Sequence, residues 1–245
     1  MIFTIGPGGC GFTFLNWSLT YLSGATEYKT LDRSTITVDA NPLQGLTAHG
    51  FAKDHVRSPD EWHRLQAVTP QSIVYFTPTH QRDLDQLLNY SCKKIIFQAG
   101  NFAKEYFART CFTNTKSKIY QQIEQWYDRY GVDTVRQILL DNVEILTNYY
   151  TVPDTFGDYQ FLCYKDMFQN LDQHIEHIFD FLDLTIDQTR RHAWQLTYFQ
   201  WKESNQGFLE KFLPKPVQVD KLSRSLMSKE LVKWKIGLSG CTWNR

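Results

Sequence analysis

Short apolar runs alternate along this chain with stretches whose apolar residues fall at helical spacing. Met1–Ile5 is an apolar run that meets Gly6-Pro7-Gly8-Gly9-Cys10-Gly11, and Phe12–Leu22 follows with apolar residues at helical spacing. That order predicts strand, glycine loop, helix. Ser72–Phe76 (SIVYF) is a compact β-rich run ended by Thr77-Pro78-Thr79-His80, after which Leu84, Leu87 and Leu88 fit one helix face. Lys94–Gln98 (KIIFQ) is a second such run, ended by Ala99-Gly100-Asn101 and followed by a helical stretch to about Thr110. Residues 115–130 and 133–150 read as two further helices, and Tyr159–Tyr164 (YQFLCY) as a strand. Leu171, Ile175, Ile178, Phe179 and Leu182 mark one face of another helix. Pro59-Asp60-Glu61 has the form of a helix start, with Ser58 as N-cap. No internal repeat or low-complexity segment interrupts the series.

Strands alternating with helices predict an α/β fold, a central parallel sheet covered by helices on both faces. Ligands of such folds gather at the carboxyl ends of the strands. The segments leaving those ends, 6–11, 77–80 and 99–101, are expected side by side. A length of 245 residues suits a single domain over 1–245 with ample core.

Composition narrows the class. Hydrophobic residues at 42% and charged residues at 21% describe an ordinary globular protein. Lys plus Arg and Asp plus Glu are 26 each, which argues against a general nucleic-acid coat. The balance is uneven: residues 211–245 hold eight Lys/Arg against two Asp/Glu, a basic segment suited to an anionic ligand. Five scattered cysteines without a CxxC pair indicate neither a disulfide framework nor a zinc site. No stretch approaches 18 apolar residues and no signal-peptide pattern opens the chain. A reducing, cytoplasmic setting with no membrane partner is expected. His174 and His177, with Glu176 between them, sit on a helix whose other face is apolar and read as a solvated flank. Tyr120, Trp126, Tyr127 and Tyr130 read as packing residues.

The glycine loop carries the first chemistry. Glycines let backbone N–H groups turn inward around an anion, and the helix N-terminus adds partial positive charge. Gly8, Gly9, Cys10, Gly11, Phe12 and Thr13 are the candidate ligands, Thr13 through its hydroxyl. A P-loop NTPase needs Gly-Lys-Ser/Thr at the end of this loop. Here the place reads Gly11-Phe12-Thr13, so magnesium-dependent NTP hydrolysis and kinase-like chemistry are disfavoured.

Several elements together resemble the sulfotransferases that use 3′-phosphoadenosine 5′-phosphosulfate (PAPS). Gly9-Cys10-Gly11-Phe12-Thr13-Phe14-Leu15 looks like that family's 5′-phosphosulfate loop. Lys94-Ile95-Ile96-Phe97-Gln98-Ala99-Gly100-Asn101 is similar to its Lys/Arg-Ile-Ile-x-x-x-Arg-Asn strand. Tyr164-Lys165-Asp166-Met167 and Phe181-Leu182-Asp183-Leu184 resemble its Tyr-Glu-Asp-Leu and Phe-Leu-Gly-Leu elements. Thr79-His80 stands where many members carry a base histidine, and Lys235-Ile236-Gly237 faintly resembles a C-terminal basic motif. The resemblance implies a single-domain, P-loop-like sulfotransferase architecture. It also implies sulfuryl transfer from PAPS, without a metal, to a hydroxyl or amine of a small-molecule or glycan-like acceptor. No nucleic-acid partner is implied, and oligomeric state is left open.

On this reading His80 is the base, with His49 and His55 as alternatives and Lys53 as a candidate cation. Asn101, Arg109 and Lys235 join the loop in holding the donor, and Lys104 is a further possible cation. The departures fall on donor contacts. Gly9 occupies the loop's Lys/Arg position, Phe12 one hydroxyl position, Gly100 the 3′-phosphate arginine and Ala108 the accompanying serine. Charged contacts to phosphate are each worth about 1.5–3 kcal/mol. The competing expectation is therefore a sulfotransferase-fold binding protein that no longer uses PAPS.

Overall fold

In the computed structural model, residues 2–6, 10–29, 35–38, 73–76, 81–106, 118–141 and 158–205 are described. The chain divides into two compact units, Met1–Gln98 with Asp154–Gln206, and Ala99–Pro153 with Gly207–Arg245.

In the first unit, the central apolar runs become strands because both of their faces are covered. All four residues of β1 (Ile2–Ile5) are buried. β1 lies between β4 (Ile73–Phe76) and β5 (Lys93–Gln98), and β6 (Tyr159–Cys163) pairs with the far side of β5. The order β4-β1-β5-β6 is parallel throughout. This is the expected α/β architecture with a central parallel sheet. Ile5 is level with Phe76 on one side and Ile96 on the other, and Gln98 is level with Cys163. The carboxyl ends of β1, β4 and β5 are thus neighbours, as the alternation of elements predicts. β2 (Glu27–Lys29) and β3 (Thr35–Thr37) form a separate antiparallel pair.

Helix α1 (Phe12–Leu22) is buried at every position except Thr13. Its buried hydroxyls and the Asn16 side-chain oxygen find partners nearby, whereas Asn16 Nδ2 has none among the described residues. Thr4 Oγ1 donates to Asn16 Oδ1 at 2.7 Å, Ser18 Oγ to the Phe14 carbonyl at 2.9 Å, and Thr20 Oγ1 to the Asn16 carbonyl at 2.7 Å. After α2 (Gln81–Leu88), Lys94 of β5 is buried, and its ammonium donates to the Tyr90 and Cys92 carbonyls, each at 2.6 Å. Burial pushes this ammonium below its ordinary pKa.

The strand expected over 159–164 ends at Cys163, and Tyr164 opens α5 (Tyr164–Gln169). Tyr164 is fully buried and stacks on Phe168 at 4.3 Å, a contact made across one helical turn. α6 (Leu171–Leu182) buries Leu171, Ile175, Ile178, Phe179 and Leu182, the face read from the sequence. α7 (Gln188–Asn205) buries Trp194, Thr197, Tyr198 and Trp201. Trp201 lies between Phe14 (4.4 Å, interplanar 12°) and Phe168 (4.7 Å, 20°), joining α1 to α5. Arg190 Nη1 donates to the Tyr21 and Ala25 carbonyls at 3.0 and 2.6 Å, satisfying acceptors where α1 ends.

In the second unit, a 3₁₀ turn at Gly100–Phe102 continues helically through Tyr106. α3 (Lys118–Tyr130) and α4 (Val132–Asp141) pack together and meet at Gly131, whose φ is 84°. Trp126 is buried and Tyr127 and Tyr130 are half-buried, in keeping with packing roles; the side chain of Tyr120 is outside the description. The rest of the helix expected to reach 150, and the helix start at Pro59, lie outside the described residues.

Candidate anion site at the glycine turn

β1 ends in the hydrogen bond from Gly6 N–H to the Phe76 carbonyl, at 3.0 Å. A Cβ on Gly6 would lie 2.9 Å from both Cys10 Sγ and Phe97 Cβ, so only glycine fits where the strand leaves the sheet. The chain enters α1 at Gly11, which has φ 84° and ψ 2° and serves as the helix N-cap. Its carbonyl accepts from Phe14 N–H at 2.9 Å and Leu15 N–H at 3.2 Å. Glycine has no side-chain oxygen to cap the helix, and no acidic residue lies in the first turn. The positive end of α1 therefore has no counter-charge within the helix's own first turn.

Of the loop residues expected to hold the donor, Gly8 and Gly9 lie outside the described residues. Cys10 is buried, Gly11 half-buried and Thr13 half-buried. Phe12, at the family's hydroxyl position, turns its ring into the core against Phe97, at 6.0 Å edge to face. Phe14 is likewise buried, stacked on Trp201. The sequence places a phosphate-binding hydroxyl at neither position. In the second unit Asn101 and Lys104 are exposed. Gly100, at the family's arginine position, is exposed with φ 55°. An arginine substituted there would sit in a left-handed conformation that L-residues avoid. His80, His49, His55, Lys53, Ala108, Arg109 and Lys235 lie outside the described residues. The described part of the site offers no cation at the position taken by the family's 3′-phosphate arginine.

A polar cluster that sequence reasoning missed joins the end of β6 to α5 and α6. Cys163 Sγ donates to Asp166 Oδ2 at 2.8 Å, and His174 Nε2 lies 3.2 Å from Asp166 Oδ1. Burial first, and then the hydrogen bond to Asp166, push the Cys163 thiol above its ordinary pKa. His174 is therefore tied to a carboxylate on its partly exposed side, whereas His177 is an exposed flank residue. The Cys-x-x-Asp spacing, three residues apart across a strand end and a first helical turn, was the available signal. Among the described residues, no group of three or more His, Cys, Asp or Glu is arranged to hold a metal ion. Among the same residues, no helix is long and apolar enough to cross a membrane.

No family profile matches the chain, and no curated protein matches it in sequence. Two solved structures are similar to it in fold. One is retinol dehydratase in complex with androsterone and the inactive cofactor PAP, at 13% identity over 98% of this chain and 81% of that one, with a TM-score of 0.39. The other is mouse sulfotransferase SULT7A1 complexed with PAP, at 11% identity over 96% of this chain and 83% of that one, with the same TM-score.

Proposed function

We propose that the chain is a sulfotransferase that moves a sulfuryl group from PAPS to a hydroxyl or amine of a small-molecule or glycan-like acceptor in the cytoplasm. The observation that carries this reading is the turn at Gly11. A buried parallel strand delivers the chain, through a left-handed glycine, to a helix N-terminus with no side-chain cap and no acidic residue. That is the arrangement an anionic phosphosulfate requires. The ordered resemblance from the loop to Leu184 supports the choice of donor.

In the proposed step the acceptor oxygen or nitrogen attacks sulfur and gives its proton to a base. The bond from sulfur to the bridging oxygen breaks, and 3′-phosphoadenosine 5′-phosphate (PAP) leaves with the electron pair. Positioning and electrostatic stabilisation dominate such a transfer. The N–H groups from Gly8 to Phe12 with the Thr13 hydroxyl would hold the phosphosulfate, and His80 would take the proton. Asn101, Arg109 and Lys235 would hold the adenosine side. Release of PAP from PAPS, measured over a panel of hydroxyl and amine acceptors, tests the reading. His80→Ala should lower turnover by roughly 10²–10⁴, the usual contribution of a positioned base, and leave PAP binding nearly unchanged. Full turnover in that variant would move the base to His49 or His55.

A second reading is favoured by one specific observation. The left-handed, exposed Gly100 stands in place of a phosphate-binding arginine. On that reading the chain is a binding protein that holds an anion at the glycine turn and performs no transfer. It predicts sulfate or phosphate binding without PAP release from PAPS.

A further inference from the structure

The segment after β6 touches the glycine turn directly. A Cβ on Gly11 would lie 3.0 Å from Phe168 Cζ, 3.2 Å from Met167 Cγ and 3.3 Å from Met167 Cε. Both side chains belong to α5, which has six residues. A helix this short has no stability of its own and keeps its place only through what anchors it. Phe168 is stacked against Trp201, which is stacked against Phe14. Lys202 Nζ donates to the Gln169 carbonyl at 2.6 Å, and Leu171 N–H donates to the Tyr198 hydroxyl at 2.9 Å, fixing the far end of α5. At its near end the buried Tyr164 packs on Phe97 of β5, and the polar anchor is Asp166. One carboxylate oxygen receives the Cys163 thiol from the end of β6, and the other lies 3.2 Å from the His174 imidazole on α6.

We propose that Asp166 is a positioning residue for the anion site: it holds α5 as a strut against Gly11 and so sets where the chain turns into α1. The role rests on the proposed donor reading only for what the turn binds. The strut itself is a property of the packing. Asp166 also lies in the first turn of α5, where a carboxylate is favoured by the helix's own field. Its removal leaves Cys163 and His174 without their shared acceptor and leaves only the apolar packing of Tyr164 to hold the near end of α5. Met167 and Phe168 then no longer close the side of Gly11, and the bonds from Phe14 and Leu15 to the Gly11 carbonyl open more often.

The test is amide hydrogen exchange, read by mass spectrometry on the full chain, for wild type, Asp166→Ala, Asp166→Asn and His174→Ala. In Asp166→Ala, a peptide covering residues 10–16 should exchange at least about tenfold faster, the equivalent of about 1.4 kcal/mol lost from local protection. β5 should keep its wild-type rate. Asp166→Asn keeps one acceptor oxygen and should restore part of the protection. His174→Ala should move the same peptide in the same direction by less. Should Asp166→Ala not fold, the Asp166→Asn and His174→Ala pair decides, since each removes one contact. Unchanged exchange at 10–16, or acceleration spread equally over β5, would overturn the strut. PAP titration of the same variants is a separate arm. Wild-type protein that ignores PAP defeats the donor reading while the exchange data still judge Asp166. PAP binding that is unchanged in Asp166→Ala despite faster exchange would overturn its role in positioning the site.

Discussion

Replacing Gly11 by alanine probes the turn on which the account depends. Two costs add there. The first is conformational: φ 84° lies in the left-handed region, which costs an L-residue roughly 1–2 kcal/mol. The second is steric, because the new Cβ would meet Phe168 Cζ at 3.0 Å and Met167 Cγ at 3.2 Å. Forcing a methyl into a packed site costs about 1–3 kcal/mol. The sum is about 2–5 kcal/mol of lost stability. Gly131 supplies a matched control: its φ is also 84°, and nothing lies within 4 Å of an added Cβ. Gly131→Ala bears the conformational cost alone, about 1–2 kcal/mol. Both replacements stiffen the unfolded chain equally, so that contribution cancels in the comparison. Urea denaturation followed by tryptophan fluorescence, with slopes compared among variants, should show Gly11→Ala the costlier by about 1–3 kcal/mol. If Gly11→Ala costs no more than Gly131→Ala, α5 does not press on the turn, and the packing argument fails.

Trp201→Ala should destabilise the protein by about 3–5 kcal/mol, the usual cost of emptying a buried aromatic site; thermal unfolding checks this, and a loss below about 1 kcal/mol would show that the Phe14–Trp201–Phe168 stack is dispensable. Stability should also fall at alkaline pH through Cys163. Its thiol is held above the ordinary value of 9.0 in the fold, so the unfolded chain loses this proton first and stability declines as pH rises past about 9. Cys163→Ser should remove part of that decline in denaturation measured between neutral pH and pH above 9. Lys94, held below its ordinary value, acts with the opposite sign, so only the difference between wild type and Cys163→Ser reports on the thiol. An identical alkaline decline in both would contradict the buried, Asp166-bonded thiol.

The strands of the parallel sheet were legible because each is short and rich in β-branched and aromatic residues, whereas the short β2 and β3 were not read. IFTI and the central residues of KKIIFQ are buried on both faces, and that demand shows as short apolar runs. The face of α6 was equally clear, since its five buried residues are all apolar. α7 was not. Trp194, Thr197, Tyr198 and Trp201 have helical spacing, but the exposed Leu196 and Phe199 fall between them and blur the stripe. α1 was legible over its observed bounds, Phe12–Leu22, although burial on nearly every side leaves it no polar face. At the site, the glycine turn was readable because backbone geometry constrains sequence there. Of the Cys163–Asp166–His174 contacts, the first leaves a local Cys-x-x-Asp spacing, but the second joins Asp166 to a different helix and no local pattern encodes it.

Calorimetric titration of the intact protein with PAP tests the proposed donor site most directly. The account predicts saturable binding at one site per chain, competed by inorganic sulfate and weakened by added salt. It also predicts higher thermal stability, by about 2.7 kcal/mol at a ligand concentration one hundred times Kd. Gly11→Ala should lose this binding under conditions where it remains folded, while Gly131→Ala retains it. Neither heat nor thermal stabilisation at millimolar PAP, or binding that survives intact in Gly11→Ala, would contradict the assignment of the glycine turn as the donor site.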